Sequence, residues 1–261
     1  FLPGSSTRML KCDTLSITIA GRTLVRELSL ELGSGEVICM LGPNGVGKTL
    51  ALHTLAGLLT PASGVVMLDG EDISELGRRQ IARRLGLLLQ DDAESFPATV
   101  LDTVLMGRHP YMTALGSASA ADHALADQAL AAMDLGGFSP RTLGTLSGGE
   151  RRRVAIARLL TQDPAVFLLD EPVNHLDPRH QVATLKRFRE RAGQGAAILM
   201  SLHDSALAMR HADRALLLHM DGSWQLGEAA SVLTAANLER LFDTRYQRFD
   251  GPDSASVLLP G

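Results

Sequence analysis

Four short apolar runs, each ending on a polar residue, constrain this chain more than any other feature. Glu36-Val37-Ile38-Cys39-Met40-Leu41 leads into Gly42, and Leu85-Gly86-Leu87-Leu88-Leu89 ends at Gln90. Val166-Phe167-Leu168-Leu169 ends in Asp170-Glu171, and Ala196-Ala197-Ile198-Leu199-Met200 runs through Ser201 and Leu202 to His203. Runs of this length without alternation fit strands covered on both faces, the strands of a parallel sheet with helices packed on either side. In such a sheet the ligand lies beyond the carboxyl ends of the strands. Four polar endings are better explained by one shared site than by four accidents.

The first ending is the most specific. Gly42-Pro43-Asn44-Gly45-Val46-Gly47-Lys48-Thr49 matches G-x-x-x-x-G-K-[ST], a phosphate-binding loop. The glycines permit a tight turn whose backbone N–H groups wrap an anion. Lys48 adds a compact charge, and the Thr49 hydroxyl suits magnesium. Leu52, Leu55, Ala56 and Leu59 then share one helix face, so the strand–loop–helix context is complete. The chain otherwise uses arginine for nearly all its basic positions; its lysines are Lys11, Lys48 and Lys186.

A second stretch, Leu146-Ser147-Gly148-Gly149-Glu150, reads locally as a helix start, with Ser147 and Glu150 at capping-box spacing. Its two glycines each cost up to ~1 kcal/mol in a helix interior, less at a terminus. A bare backbone at the positive end of a helix suits close approach by an anion. These residues alone leave an ordinary capped helix and an anion site equally open.

Length and charge bound the rest. The 261 residues suffice for one large α/β domain with an inserted lobe. No apolar run approaches the ~20 residues that span a bilayer, and no secretory signal is visible. A net charge of −4 gives no general attraction to nucleic acid or anionic lipid. Cys12 and Cys39 lack metal-like spacing and read as reduced core residues. Residues 1–8 read as a remnant ahead of a native start at Met9. Residues 9–249 read as a single domain and 250–261 as a loose tail. Within the domain, residues 9–32 read as antiparallel strands broken at Ala20-Gly21, and 65–68 as a strand turning at Asp69-Gly70. Residues 91–163 read as a helical lobe containing a helix over 121–135. Residues 214–218 and 224–226 flank an Asp221-Gly222 hairpin turn, and 231–242 read as one helix.

With these motifs in this order, the chain resembles the ATPase subunit of an ATP-binding cassette (ABC) transporter, over nearly everything from 9 to 249. The resemblance implies a P-loop NTPase α/β core with a mainly parallel sheet, an N-terminal antiparallel β subdomain and an inserted helical subdomain. It implies that Gly42, Pro43, Asn44, Gly45, Val46, Gly47, Lys48 and Thr49 hold ATP phosphates, and that Thr49, Gln90 and Asp170 serve Mg2+. Glu171 is the implied general base, His203 the switch residue at the γ-phosphate, and Gln90 a sensor of magnesium, water and the membrane partner. Ser147, Gly148 and Gly149 would close over ATP held by a second copy, and Asp177 in Asn174-His175-Leu176-Asp177 would cross to that copy.

Two positions depart from the family pattern. Ile19 stands where an aromatic residue often stacks on adenine, which implies weaker adenine discrimination. Leu50 stands where a second hydroxyl commonly follows Thr49. The segment Ser95-Phe96-Pro97-Ala98-Thr99-Val100, then Val104 to Tyr111, resembles ATPases of importers for iron–siderophore complexes, haem and cobalamin. The implied partners are a head-to-tail second copy, polytopic permease subunits and, indirectly, an external binding protein, with no nucleic acid. The implied location is the cytoplasmic face of a bacterial inner membrane. An exporter ATPase shares the catalytic motifs and stays open as an alternative. A soluble repair or translation cassette is a third, though no coiled coil, zinc module or tandem cassette is visible.

Overall fold

The computed structural model describes residues 8–90, 98–113, 116–250 and 256–261. Strands β1 (Arg8–Ile19) and β2 (Arg22–Gly33) pair antiparallel and turn at Ala20-Gly21. Then follow β3 (Val37–Leu41), α1 (Lys48–Leu55), β4 (Ser63–Leu68), β5 (Glu71–Asp72), α2 (Arg78–Arg84) and β6 (Leu85–Leu88). The described part of the helical lobe holds α3 (Val100–Leu105), α4 (Ala120–Ala132) and α5 (Gly148–Gln162). After it come β7 (Val166–Leu169), α6 (Pro178–Gly193), β8 (Ala197–Ser201), α7 (Ser205–His211), β9 (Arg214–Leu218) and β10 (Trp224–Glu228). The chain closes with α8 (Ala229–Val232), α9 (Ala235–Phe242), β11 (Tyr246–Asp250) and β12 (Ser256–Pro260).

The four apolar runs become β3, β6, β7 and β8, and they stand side by side. The central sheet runs β10-β9-β3-β8-β7-β6, with β9, β3, β8, β7 and β6 parallel and β10 antiparallel at one edge. Every residue of β3, β7 and β8 is buried, because alternate side chains enter two separate cores. Val37, Cys39, Leu41, Phe167, Leu169, Ile198 and Met200 face the helices of the lobe and α6. Ile38, Met40, Val166, Leu168, Ala197 and Leu199 face α1 and the β2-β1-β4-β5 sheet. Both faces gain about 1.5–3 kcal/mol per fully buried large apolar side chain, which explains the unbroken apolar runs. The edge-to-face pair Phe167–Phe188, with centroids 5.8 Å apart, locks α6 against β7.

Some boundaries differ from the sequence reading. Pairing in β1 begins at Arg8, opposite Gly33, one residue ahead of Met9; residues 1–7 lie outside the described set. The single helix expected over 231–242 is two. Asn237 Nδ2 donates to the Val232 carbonyl at 2.8 Å, and Thr234 Oγ1 caps a new start at Asn237 N (3.3 Å). Of the expected loose tail, residues 251–255 lie outside the described set, but the described end is folded: β12 pairs antiparallel with β11, Leu258 is buried, and Ser205 Oγ donates to the Leu258 carbonyl. Of the segment expected to meet a membrane partner, residues 95–97 lie outside the described set; Ala98 onward opens α3.

One polar cluster pins the lobe together. Asp122 accepts from Ser119 N at 2.9 Å and Ser119 Oγ at 2.7 Å, capping α4, and from Arg108 Nε at 2.7 Å. Arg108 lies 4.0 Å over the Tyr111 ring and reaches the Thr161 carbonyl at 3.2 Å. The Ser119 hydroxyl, then its backbone N–H and Arg108, push the Asp122 carboxyl down to about 2 from 3.8. A carboxyl depressed in the folded state contributes stability above its unfolded value, and that contribution is lost as pH falls toward 2. Asp122→Ala is expected to cost about 1–2 kcal/mol at neutral pH, from the lost cap and ion pair. The difference from wild type should shrink toward pH 2, as read by urea unfolding at both pH values.

Candidate active site

The carboxyl ends of β3, β6, β7 and β8 open into one cleft of about 470 Å³. Asn44, Gly45, Gly47, Lys48 and Thr49 line it from the loop after β3, with Leu50 beside them. Gln90, Glu171, Asn174 and His203 line it from the other three strand ends. The four polar endings thus do share one site.

The loop is built to present backbone. Gly47 sits at φ 109°, where a side chain would be strained, and it delivers Lys48 and Thr49 as the first residues of α1. Lys48 Nζ donates back to the Gly42 carbonyl at 2.7 Å and the Pro43 carbonyl at 3.2 Å. Burial lowers the Lys48 ammonium from its ordinary value, while Glu171 and Asp170 pull it back up. Val46 is turned into the core beneath the loop and does not line the cleft.

Asp170 is 1% exposed and lies behind the loop. Its Oδ2 accepts from Thr49 Oγ1 at 2.5 Å and its Oδ1 from Ser201 Oγ at 2.7 Å. The Thr49 hydroxyl and the Asp170 carboxylate are hard oxygen donors side by side, the set that magnesium takes together with water and phosphate oxygens.

Glu171 is buried and held at φ 48°, in the left-handed region. For a residue with a Cβ this costs roughly 1–2 kcal/mol, so the surroundings must hold it there. Its N–H donates to Ser201 Oγ at 2.8 Å, and its carbonyl accepts from Arg152 Nη2 at 2.8 Å and from Asn174 N at 3.1 Å. The carboxylate is equally fixed. Oε2 accepts from Gln90 Nε2 at 3.0 Å and from Asn174 Nδ2, and Oε1 meets His203 Nε2. Gln90, Glu171 and His203 therefore form one bonded group.

Ser147, Gly148, Gly149 and Asp177 do not line this cleft. Ser147 and Gly148 are exposed at the start of α5, with the expected reciprocal cap: Ser147 N donates to Glu150 Oε2 at 2.7 Å and Glu150 N to Ser147 Oγ at 3.2 Å. The two glycines differ. A Cβ on Gly148 would meet nothing within 4 Å, whereas one on Gly149 would stand 2.9 Å from the His175 carbonyl of the same chain. Asp177 caps α6, accepting from His180 N at 2.9 Å, and its other oxygen meets His180 Nδ1 at 2.8 Å. Those bonds hold its carboxyl below the usual range.

Sequence reasoning missed three residues that hold the site: Ser201, Asn174 and Arg152. For Arg152 a signal was present, since 152, 155, 156 and 159 fall on one buried helix face where a cation needs partners.

Among the described residues no helix is long and apolar enough to cross a membrane. The family model for ABC transporters matches residues 25–174. The chain is 38% identical to the hemin import ATP-binding protein of Streptomyces coelicolor, over 94% of this chain and 87% of that protein. It is 35% identical to the cobalamin import ATP-binding protein of Halobacterium salinarum, over 94% of this chain and 61% of that protein. Among solved structures, an inward-facing putative metal-chelate type ABC transporter superposes with a TM-score of 0.84 at 26% identity, covering 97% of this chain and 98% of that one. With a complete phosphate loop, a buried Asp170-Glu171 pair and relatives matching along nearly its whole length, the chain belongs to the ABC transporter family as one of its ATP-hydrolysing cassettes.

Proposed function

We propose that the chain energises a membrane importer whose cargo is haem, an iron–siderophore complex or cobalamin. Two copies would work head-to-tail beneath polytopic permease subunits, at the cytoplasmic face of a bacterial inner membrane, with an external binding protein supplying the cargo. The observation that carries the catalytic part is the buried Glu171 carboxylate, fixed by Gln90, Asn174 and His203 at the mouth of the phosphate loop. The cargo class is supported by the relatives named for hemin and cobalamin import and by the metal-chelate type neighbour.

The reaction is in-line attack of water on the γ-phosphorus. The water proton passes to Glu171, and the bond from γ-phosphorus to the bridging oxygen breaks, with ADP leaving. Lys48 and the loop N–H groups offset the charge on the phosphoryl oxygens, because positioning and electrostatics supply most of the acceleration in phosphoryl transfer. Magnesium, held through Thr49, Asp170 and Gln90, would neutralise further phosphate charge. His203 and Gln90 keep the carboxylate aimed. Ile19, 45% exposed at the end of β1, offers adenine an aliphatic contact.

The segment around Pro110 is a firm surface for a membrane subunit. Arg79 Nε and Arg83 Nε of α2 each donate to the Pro110 carbonyl at 2.8 Å. Co-expression with a polytopic permease should give a stable complex. Hydrolysis by that complex should rise when a binding protein loaded with haem, a ferric siderophore or cobalamin is added. Association with ribosomes or DNA and with no permease would overturn the transport reading.

A further inference from the structure

The hydrogen-bond ladder between β6 and β7 stops at Leu88 and Leu169, its last rung being Asp170 N to the Leu88 carbonyl at 2.9 Å. Beyond it the strands leave as Leu89-Gln90 and Asp170-Glu171. Their carbonyls converge on one guanidinium, that of Arg152 in α5. Nη1 donates to the carbonyls of Leu89 and, at 3.3 Å, Gln90. Nη2 donates to the carbonyls of Asp170 and, at 2.8 Å, Glu171. One nitrogen serves each strand, so the fork continues the sheet by side chain where the backbone ladder ends. Only a planar, charged fork bridges two strands in this way; an ammonium is a point donor on a flexible stem.

Arg152 is 6% exposed, so a cation has been taken out of water at this spot. That costs free energy unless the charge is compensated, and four carbonyls at the exits of the two strands, met by Nη1 and Nη2, supply the compensation. Arg152 lies five residues after Ser147 in the same helix, about 7.5 Å along its axis. Helix α5 therefore carries the exposed Ser147 at its start and grips the strand exits bearing Gln90 and Glu171 one and a half turns later.

We propose that Arg152 is a positioning residue for hydrolysis: it anchors Gln90 and Glu171 to the helix that presents Ser147, setting where the carboxylate of its own chain stands. It touches no reacting atom and works through the two strand ends. The inference rests on Glu171 as the base and on the two-copy reading above. The positional tolerance it protects is small, since a displacement of about 1 Å at a catalytic group costs on the order of 100-fold in rate.

The test compares Arg152→Met and Arg152→Lys in the full chain. Expected is a fall in kcat of about tenfold or more for the methionine variant and a partial recovery for lysine. Affinity for a fluorescent ATP analogue should stay within about threefold, and the lysine variant's Tm should stay close to wild type. The lysine variant decides the matter where the methionine one folds poorly. Mixed dimers then locate the effect. Pairing Arg152→Lys with Glu171→Gln leaves one functional base, in the chain lacking the fork, and should be slow. Pairing wild type with the Arg152→Lys/Glu171→Gln double variant should run at the normal single-site rate. Unchanged kcat in both variants overturns the proposal, as does a parallel loss of kcat, nucleotide affinity and Tm. A defect that follows the chain lacking a functional base overturns it too. An inactive wild-type chain would instead defeat the reading on which the proposal rests.

Discussion

Glu171→Gln should reduce steady-state ATP hydrolysis by about 10²- to 10⁴-fold, the range that a positioned general base contributes, while leaving ATP binding within a few-fold of wild type. Glutamine keeps the volume, the left-handed backbone at φ 48° and an acceptor for Gln90 Nε2 and Asn174 Nδ2. It removes the one property the mechanism needs, an anionic oxygen that takes a proton. Neither Lys48 nor Thr49 bonds Glu171 directly, so the phosphate loop should be undisturbed. The measurement is paired: initial-rate hydrolysis and equilibrium binding of ATP on the same preparation. Hydrolysis within tenfold of wild type would remove Glu171 as the base. Loss of binding together with rate would mean that the carboxylate is structural.

The second large effect separates a shared site from a self-contained one. Ser147 and Gly148 are exposed and absent from the cleft of their own chain, and under the proposed two-copy reading that helix start meets a phosphate held by the second copy. Ser147→Arg puts a long cation where the phosphate must approach. Two mixed dimers, purified by separate tags, give opposite orders under the two models. In the first, wild type is paired with the Ser147→Arg/Glu171→Gln double variant. A shared site then leaves no intact combination, and hydrolysis should fall about 100-fold or more. In the second, Ser147→Arg is paired with Glu171→Gln. One intact combination survives, and about half the wild-type rate should remain. Self-contained sites would reverse the two results. That reversal is the outcome that sinks the head-to-tail reading.

Legibility in the sequence varied with how local the cause was. The phosphate loop was fully legible because its conformation is set by its own glycines and by the strand and helix on either side. The weak alternation in 9–32 has a physical explanation visible only in the pairing. Thr14 and Glu27, both at φ 48°, form successive irregularities, the first in β1 and the second in β2. Each inserts a residue, so buried positions change parity from Leu10 and Cys12 to Leu15 and Ile17. Period-2 counting across that point mixes the two faces. The tail was misread for a different reason. The end of the chain carries only the short apolar run Val257-Leu258-Leu259, which names no partner by itself, and Leu258 is buried because β12 returns against β11 and α7. The break at Thr234 was a missed cap, overlooked because apolar residues continue on both sides of it.

By itself the sequence determined the chemistry and the class of fold. Four unbroken apolar runs demand strands covered on both faces, and the polar residue that ends each run is covalently next to it, so its place at a strand end follows. What only the tertiary structure decided is the order β3-β8-β7-β6 and everything that depends on it. That order puts His203 and Gln90 on the two oxygens of Glu171, seats Ser201 between Asp170 and the Glu171 N–H, and gathers two strand exits on Arg152. These bonds join residues from 18 to 81 positions apart in the chain. Hydrophobic patterning specifies which face of an element is buried, not which element lies beside it. The neighbours are chosen by packing, and the hydrogen bonds that hold the Glu171 carboxylate come with them.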